Sequence, residues 1–332
     1  MHIISSYPTL GSVTALSFVL LLLSNPVIMA HTFSENENAL FLTMINKIKA
    51  ETQLVAQDAT DNTQQAQVHA KAALGLLTQE DPVVNTTWTS EISELNPRVT
   101  ADLLKSLNDL RNSVGSATSN STSNAVQSKV ANIDSLLDEA ATVRISSNLL
   151  KNPKTQALVL ANLGNEVYNN YGKALGIPQS TIASMGGMKM TGMNMNTAAN
   201  SSSSSSGSMS GMKMGGNKSS MSMGTGSSSS GSMSGMNSMS GQAAMNQNNS
   251  SIKNMTAYQS ARALASIAQQ AFNKDFKPVA PSNATSSTTN IGKYIDELKN
   301  AVNNKASFMT IMETVHVKLH PTLISTYKLT TG

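Results

Sequence analysis

At 332 residues the chain is long enough for one large domain or two ordinary ones, but a Ser/Gly/Met/Asn tract from about Ser184 to Ser251 can add little to a core. A formal charge of +4, with Lys and Arg scattered among the acids, builds no basic stripe for a phosphate backbone, so nucleic acid is excluded as the expected partner. There is no cysteine; disulfides and thiolate chemistry are excluded, and any soft metal ligand must be methionine.

In chain order, Val13 to Leu23 form an apolar run too short to span a membrane, followed by Asn25-Pro26 and a small residue, Ala30. This reads as a signal segment over residues 1–30 with His31 as the new N-terminus, the alternative being an uncleaved membrane anchor. Sequons at Asn85, Asn120, Asn200, Asn217, Asn248, Asn249, Asn254 and Asn283 agree with an exported glycoprotein, although an Asn/Ser-rich chain also makes such triplets by chance.

Ser34-Glu35-Asn36-Glu37 is a capping box, and Phe41, Met44, Ile45, Ile48, Thr52 and Val55 then recur at helical spacing, predicting a first helix that ends near 58–62. A second helix over about Thr63 to Thr78 carries Ala66, Ala70, Ala73, Leu74 and Leu77, and Asp81-Pro82 breaks it. Asn96-Pro97 opens a third with Leu103, Leu104, Leu107, Leu110 and Val114 on one side. Past a polar loop, Gly115 to Ser123, Val126, Val130, Ile133, Leu137 and Ala140 mark a fourth. Asn152-Pro153 opens a fifth with Leu160, Leu163, Val167, Tyr171 and Leu175, stopped by Gly176. Beyond the tract, Tyr258, Ala261, Leu264, Ala265, Ala268 and Phe272 predict a further helix. A Pro/Ser/Thr linker from Pro278 to Thr289 and a last helix from about Ile291 to His320, ended by Pro321, complete the pattern. No stretch alternates long enough for a sheet, so the expected fold is all-α: a helical bundle over 31–180, a long disordered Met/Ser/Gly-rich internal insert over 181–252, and C-terminal helices over 253–332 that return to the same bundle.

Fourteen of the twenty methionines fall in the tract: Met185, Met188, Met190, Met193, Met195, Met209, Met212, Met214, Met221, Met223, Met233, Met236, Met239 and Met245. Their spacings of two and three, with small or polar residues between them, cannot make an apolar helical face. A thioether is a soft donor with no proton to lose, so a flexible chain can wrap several sulfurs around one Cu(I), or equally Ag(I). The runs MGGMKMTGMNM, MSGMKM, MSM and MSGMNSM resemble the extracellular methionine motifs of high-affinity copper transporters and the Met-rich loops of exported copper-resistance proteins. The lack of interleaved histidine favours Cu(I) over Cu(II). The bland alternative is a low-complexity linker with methionine as filler or oxidant sink.

Of the histidines left after processing, His31 would offer its α-amine and ring to one copper ion, and this placement resembles the histidine brace of copper monooxygenases and some copper carriers. His316 and His320, four apart on one helix and preceded on that face by Met309 and Met312, are a common half-site for a harder, Cu(II)-type centre. Their structural alternative is packing at the core edge and at a helix C-terminus. His69 borders an alanine face and reads more simply as a core histidine. Convergence of these histidines on one site is an expectation open to test. Glu313-Thr314-Val315-His316 has the Glu-x-x-His form of di-iron bundles but no second copy, and the usual catalytic motifs are missing, so an enzyme is not indicated. With HTFSENENALFL at the mature start, Trp88, and Asn96-Pro97 and Asn152-Pro153 between helices, the whole chain looks like secreted helical proteins of ammonia-oxidising archaea, which implies a copper-rich setting. The expectation is an extracytoplasmic copper holder or carrier, working with a membrane or cell-surface copper protein. The other readings are an accessory subunit with the tract as spacer, and a histidine-brace oxidase.

Overall fold

Apolar residues repeating every three or four positions dictate where the helices face, and the chain buries those faces against one another. The computed structural model describes residues 35–82, 85–115, 121–186 and 251–329. The expected signal segment, Ser34 of the expected capping box, His31, the methionines from Met188 to Met245 and most of the sequons lie outside the described residues.

α1 (Glu35–Asp58) buries all six residues of its expected stripe, Phe41, Met44, Ile45, Ile48, Thr52 and Val55. α2 (Thr63–Thr78) is capped by Asn62, whose side chain accepts from Gln65 N, and folds back on α1 with its alanines buried. α4 (Pro97–Gly115) and α5 (Ser121–Arg144) pair with each other, and α7 (Pro153–Ala174) runs from an Asn152 cap to Gly176, where φ of +72° suits glycine as the helix stop. Three short helices join these: α3 (Trp88–Leu95), α6 (Ser147–Leu150) and α8 (Gln179–Gly186). They are too short for periodicity to announce them. α8 corrects the N-terminal boundary of the expected insert, since its residues 181–186 are helical, with Ile182 buried and Met185 half-buried on the core.

α9 (Met255–Ala271) begins beside the end of α7, where Lys253 N and Asn254 N both donate to Ala174 O at 2.8 and 3.0 Å. It then packs along α7 and α1, so the two flanks of the tract are tied to one end of the bundle. The expected linker at 278–289 is instead short and helical: a π turn (Phe272–Phe276), 3-10 turns at Lys277–Val279 and Ser282–Ala284, then α10 (Thr285–Asn303). The single last helix over 291–320 is also corrected. A turn with Lys305 at φ +52° separates α10 from α11 (Phe308–Met312), and Tyr171 OH donates to Ala306 O within it at 2.6 Å. A π segment (Glu313–Leu319) then leads into α12 (His320–Tyr327). Pro321 therefore does not end the helix. Both π stretches stand just ahead of a proline, Pro278 or Pro321, and their wider turn accommodates a ring that lacks an N–H and would clash with the carbonyl four residues back.

α8 docks through a notch at Gly172, where an added Cβ would meet Ile182 Cδ1 at 2.6 Å and Phe308 Cε2 at 3.1 Å. Gly172→Ala is expected to destabilise the fold by about 1–3 kcal/mol through overpacking. Thermal unfolding of the variant, paired with Gly75→Ala where nothing lies within 4 Å, checks this.

Candidate metal centre

The π segment brings two imidazoles together at its C-terminal end. Gly164 on α7 lets it approach closely: a Cβ there would stand 3.2 Å from Leu319 Cδ2 and 3.6 Å from both His320 Nε2 and Val315 Cγ1. His320 Nε2 lies 3.0 Å from Ala161 O. A carbonyl only accepts, so Nε2 carries the proton and the lone pair of His320 is on Nδ1. The His316 ring stands edge-on to His320 at 5.1 Å between centroids and edge-on to Tyr168 at 4.6 Å. Its Nε2 is buried and has no hydrogen-bond partner among the described residues.

Burial disfavours the imidazolium at both positions. It holds His316 down to about 4, with His320 adding to the effect, and lowers His320 against the pull of the Ala161 carbonyl. Both rings are thus neutral near pH 7 and keep the lone pairs a metal needs. Glu313 turns outward to Lys318, which also meets Glu297, and Met309 is exposed while Met312 rests half-buried on the core. Among the described residues no three His, Asp or Glu side chains come together to hold a metal ion. The pair therefore stands as two imidazoles without a carboxylate.

Tyr168 ties this pair to the root of the methionine tract. Its ring stacks on Phe308 at 4.8 Å and abuts His316, and its hydroxyl, with a pKa pushed up to about 12 by burial, donates to Ile182 O on α8 at 3.1 Å. Met185 lies three residues further along α8.

His69 is elsewhere and otherwise occupied. Fully buried on α2, it sets Nδ1 2.6 Å from Glu51 Oε2 of α1, and Nε2 meets Gln259 Oε1 of α9 at 3.3 Å and lies 3.8 Å from Asp58 Oδ2. Ser260 donates to the other Glu51 oxygen at 2.7 Å, and Gln259 donates to Asp58. Burial pulls the His69 pKa down, but the hydrogen bond and charge of Glu51, with Gln259 and Asp58, outweigh it and leave the pKa raised. With Nδ1 on Glu51 and Nε2 between Gln259 Oε1 and the Gln65 amide nitrogen at 3.1 Å, both ring nitrogens are already engaged by protein groups. His69 does not join the His316/His320 pair.

Sequence reading missed a buried cation. Arg144 ends α5 with its side chain wholly buried, 4.4 Å above the Phe41 ring and 5.6 Å from that of Trp88, and its Nε and Nη2 reach Glu91 Oε2 at 3.0 and 2.8 Å. The signal was present: Arg144 is the next position, four residues on, of the stripe ending in Leu137 and Ala140. A cavity of about 640 Å³ between α1, α5 and the π turn at 272–276, floored by Leu42, Ile45 and Ala141, is lined by none of these histidines or methionines.

No protein-family model matches the chain, and neither a curated protein nor a solved structure is significantly similar to it. The fold and site define a helical bundle with a part-buried pair of imidazoles next to the root of a methionine-rich tract.

Proposed function

We propose that this protein is an extracytoplasmic copper holder or carrier, in which the methionine tract captures Cu(I) and the bundle presents it. The observation that carries this reading is the concentration of fourteen methionines, mostly in clusters at two- and three-residue spacing, in a tract whose other residues are small or polar, chiefly Ser, Gly and Asn. The attachment of both flanks to one end of the bundle, through Ala174 on one side and the α8 contacts of Tyr168 on the other, supports a presented loop. A spacer holding two bodies apart would not begin and end on the same helix. The neutral imidazole pair, sharing Tyr168 with α8, gives the captured ion a second stopping place. Export, the signal segment and the membrane or cell-surface copper protein that would exchange metal with it belong to the same proposal.

The test is a Cu(I) titration of the mature chain against a chromophoric Cu(I) chelator, alongside a chain in which the tract methionines from Met188 to Met245 are leucine. The proposal expects several Cu(I) ions per chain for the natural sequence and loss of most of that capacity in the leucine chain. Equal uptake by both would leave the methionines without a role in copper binding.

A further inference from the structure

We infer that His316 and His320 form a discrete site for one soft monovalent cation, Cu(I) or Ag(I), bound through His316 Nε2 and His320 Nδ1. The choice of copper as the natural ion rests on the copper reading above; the site itself rests on geometry. A buried ring nitrogen without a partner is rare and costs free energy unless something fills its need, and His316 Nε2 is such an atom. The neighbouring ring has the opposite arrangement, with Nε2–H fixed on the Ala161 carbonyl and Nδ1 left over. That is how metal-binding histidines are held, the second nitrogen fixing tautomer and ring direction for the first. A centroid separation of 5.1 Å suits two rings that share one ion at metal–nitrogen distances of about 2 Å each. His316 lies within a π segment and His320 is the residue that follows it, a distortion found frequently at functional sites.

Charge and coordination number decide the class of ion. The pair meets Tyr168 and the Ala161 carbonyl of α7, with Val315 and Leu319 beside His320 at Gly164, and no carboxylate among the described residues acts on either imidazole. A divalent ion here would keep both its charges in apolar surroundings and lack the four ligands zinc prefers. Desolvation cost rises with the square of the charge, so a monovalent ion bears about a quarter of it by the Born argument. Cu(I) and Ag(I) accept two or three neutral, soft or borderline donors. Met312, four residues before His316 and half-buried against the core, is the thioether on the same stretch of chain that this inference adds as a third donor. The centre is thus matched to the ion the tract would capture rather than to Cu(II), which differs from the harder site expected from sequence.

Ag(I), which is diamagnetic, allows a direct test on the full mature chain labelled with 15N-histidine and 13C-methyl methionine in chloride-free buffer. On adding silver, the inference expects the unprotonated 15N resonances of His316 Nε2 and His320 Nδ1 to move by tens of parts per million at one equivalent per pair, with His69 unchanged, and a matched addition of Zn(II) to leave the pair unmoved. His316→Gln should weaken silver uptake at His320 more than tenfold, with the His69 resonances reporting that the fold is intact. Silver shifts confined to the methionine methyls would overturn the two-imidazole site and leave the capture reading standing. Histidine shifts without methyl shifts would do the reverse. Zn(II) moving the pair as far as Ag(I) would overturn the monovalent assignment.

Discussion

Arg144→Ala is expected to destabilise the bundle by about 3–5 kcal/mol, the range for removing one partner of a buried ion pair. The guanidinium is fully buried and joins α5 to Glu91 on α3, with Asp81 Oδ2 3.9 Å away, while Phe41 and Trp88 cover it from α1 and α3. Alanine would remove the cation–π contacts and leave the Glu91 carboxylate, 7% exposed, facing an empty space. In a bundle of this size each kcal/mol moves the thermal midpoint by about 2–4 °C, so circular dichroism should show a fall of roughly 10 °C. Pairing Arg144→Met with Glu91→Leu should recover most of that loss, since two apolar groups of similar volume leave no stranded charge. An alanine variant within 1 °C of the natural chain would contradict the staple.

Glu51→Gln is expected to cost a comparable amount, about 3–5 kcal/mol, with a pH dependence of known sign. Burial alone would lower the His69 pKa, but the hydrogen bond and charge of Glu51, with Gln259 and Asp58, raise it above the usual 6.5 in the folded state. A histidine whose folded pKa is raised contributes stability that is fully present below the unfolded pKa and is lost as pH rises through the folded one. The stability gap between the natural chain and Glu51→Gln should therefore be widest below about pH 6.5 and narrow on going alkaline. Urea denaturation of both chains at pH 6 and pH 9 reads this directly, and a gap constant across that range would show that the pair is not charged. Because Ser260 and Gln259 come from α9, this network also fastens the C-terminal part of the chain to the α1–α2 hairpin.

The long helices were legible because their apolar residues repeat over four or more turns. Phe41 through Val55, Val126 through Ala140 and Leu160 through Tyr171 are all buried. What sequence could not carry was anything decided by one residue or by a neighbour. α8 exists because Ile182 drops into the Gly172 notch, a pairing set by tertiary contact. Pro278 reads as the start of a linker and Pro321 as a helix stop because proline is a strong local breaker, and only the widened turns ahead of them keep the chain helical there. At the candidate site, four-residue spacing placed His316 and His320 together. The absence of a facing carboxylate and the tautomer of His320 depend on Ala161 and Tyr168, which lie more than a hundred residues away in sequence. Glu51 and Arg144 were overlooked for the opposite reason: each occupies a core-facing position of its own helix, where a charged side chain is uncommon and requires a partner.

The measurement that tests copper holding most directly is intact-mass spectrometry of the native protein, recorded in denaturing and non-denaturing buffers. The account predicts a chain beginning at His31 in the first and the same chain carrying copper in the second. A chain that arrives metal-free and takes up no Cu(I) on addition would contradict it, leaving a helical bundle whose methionines serve some other end.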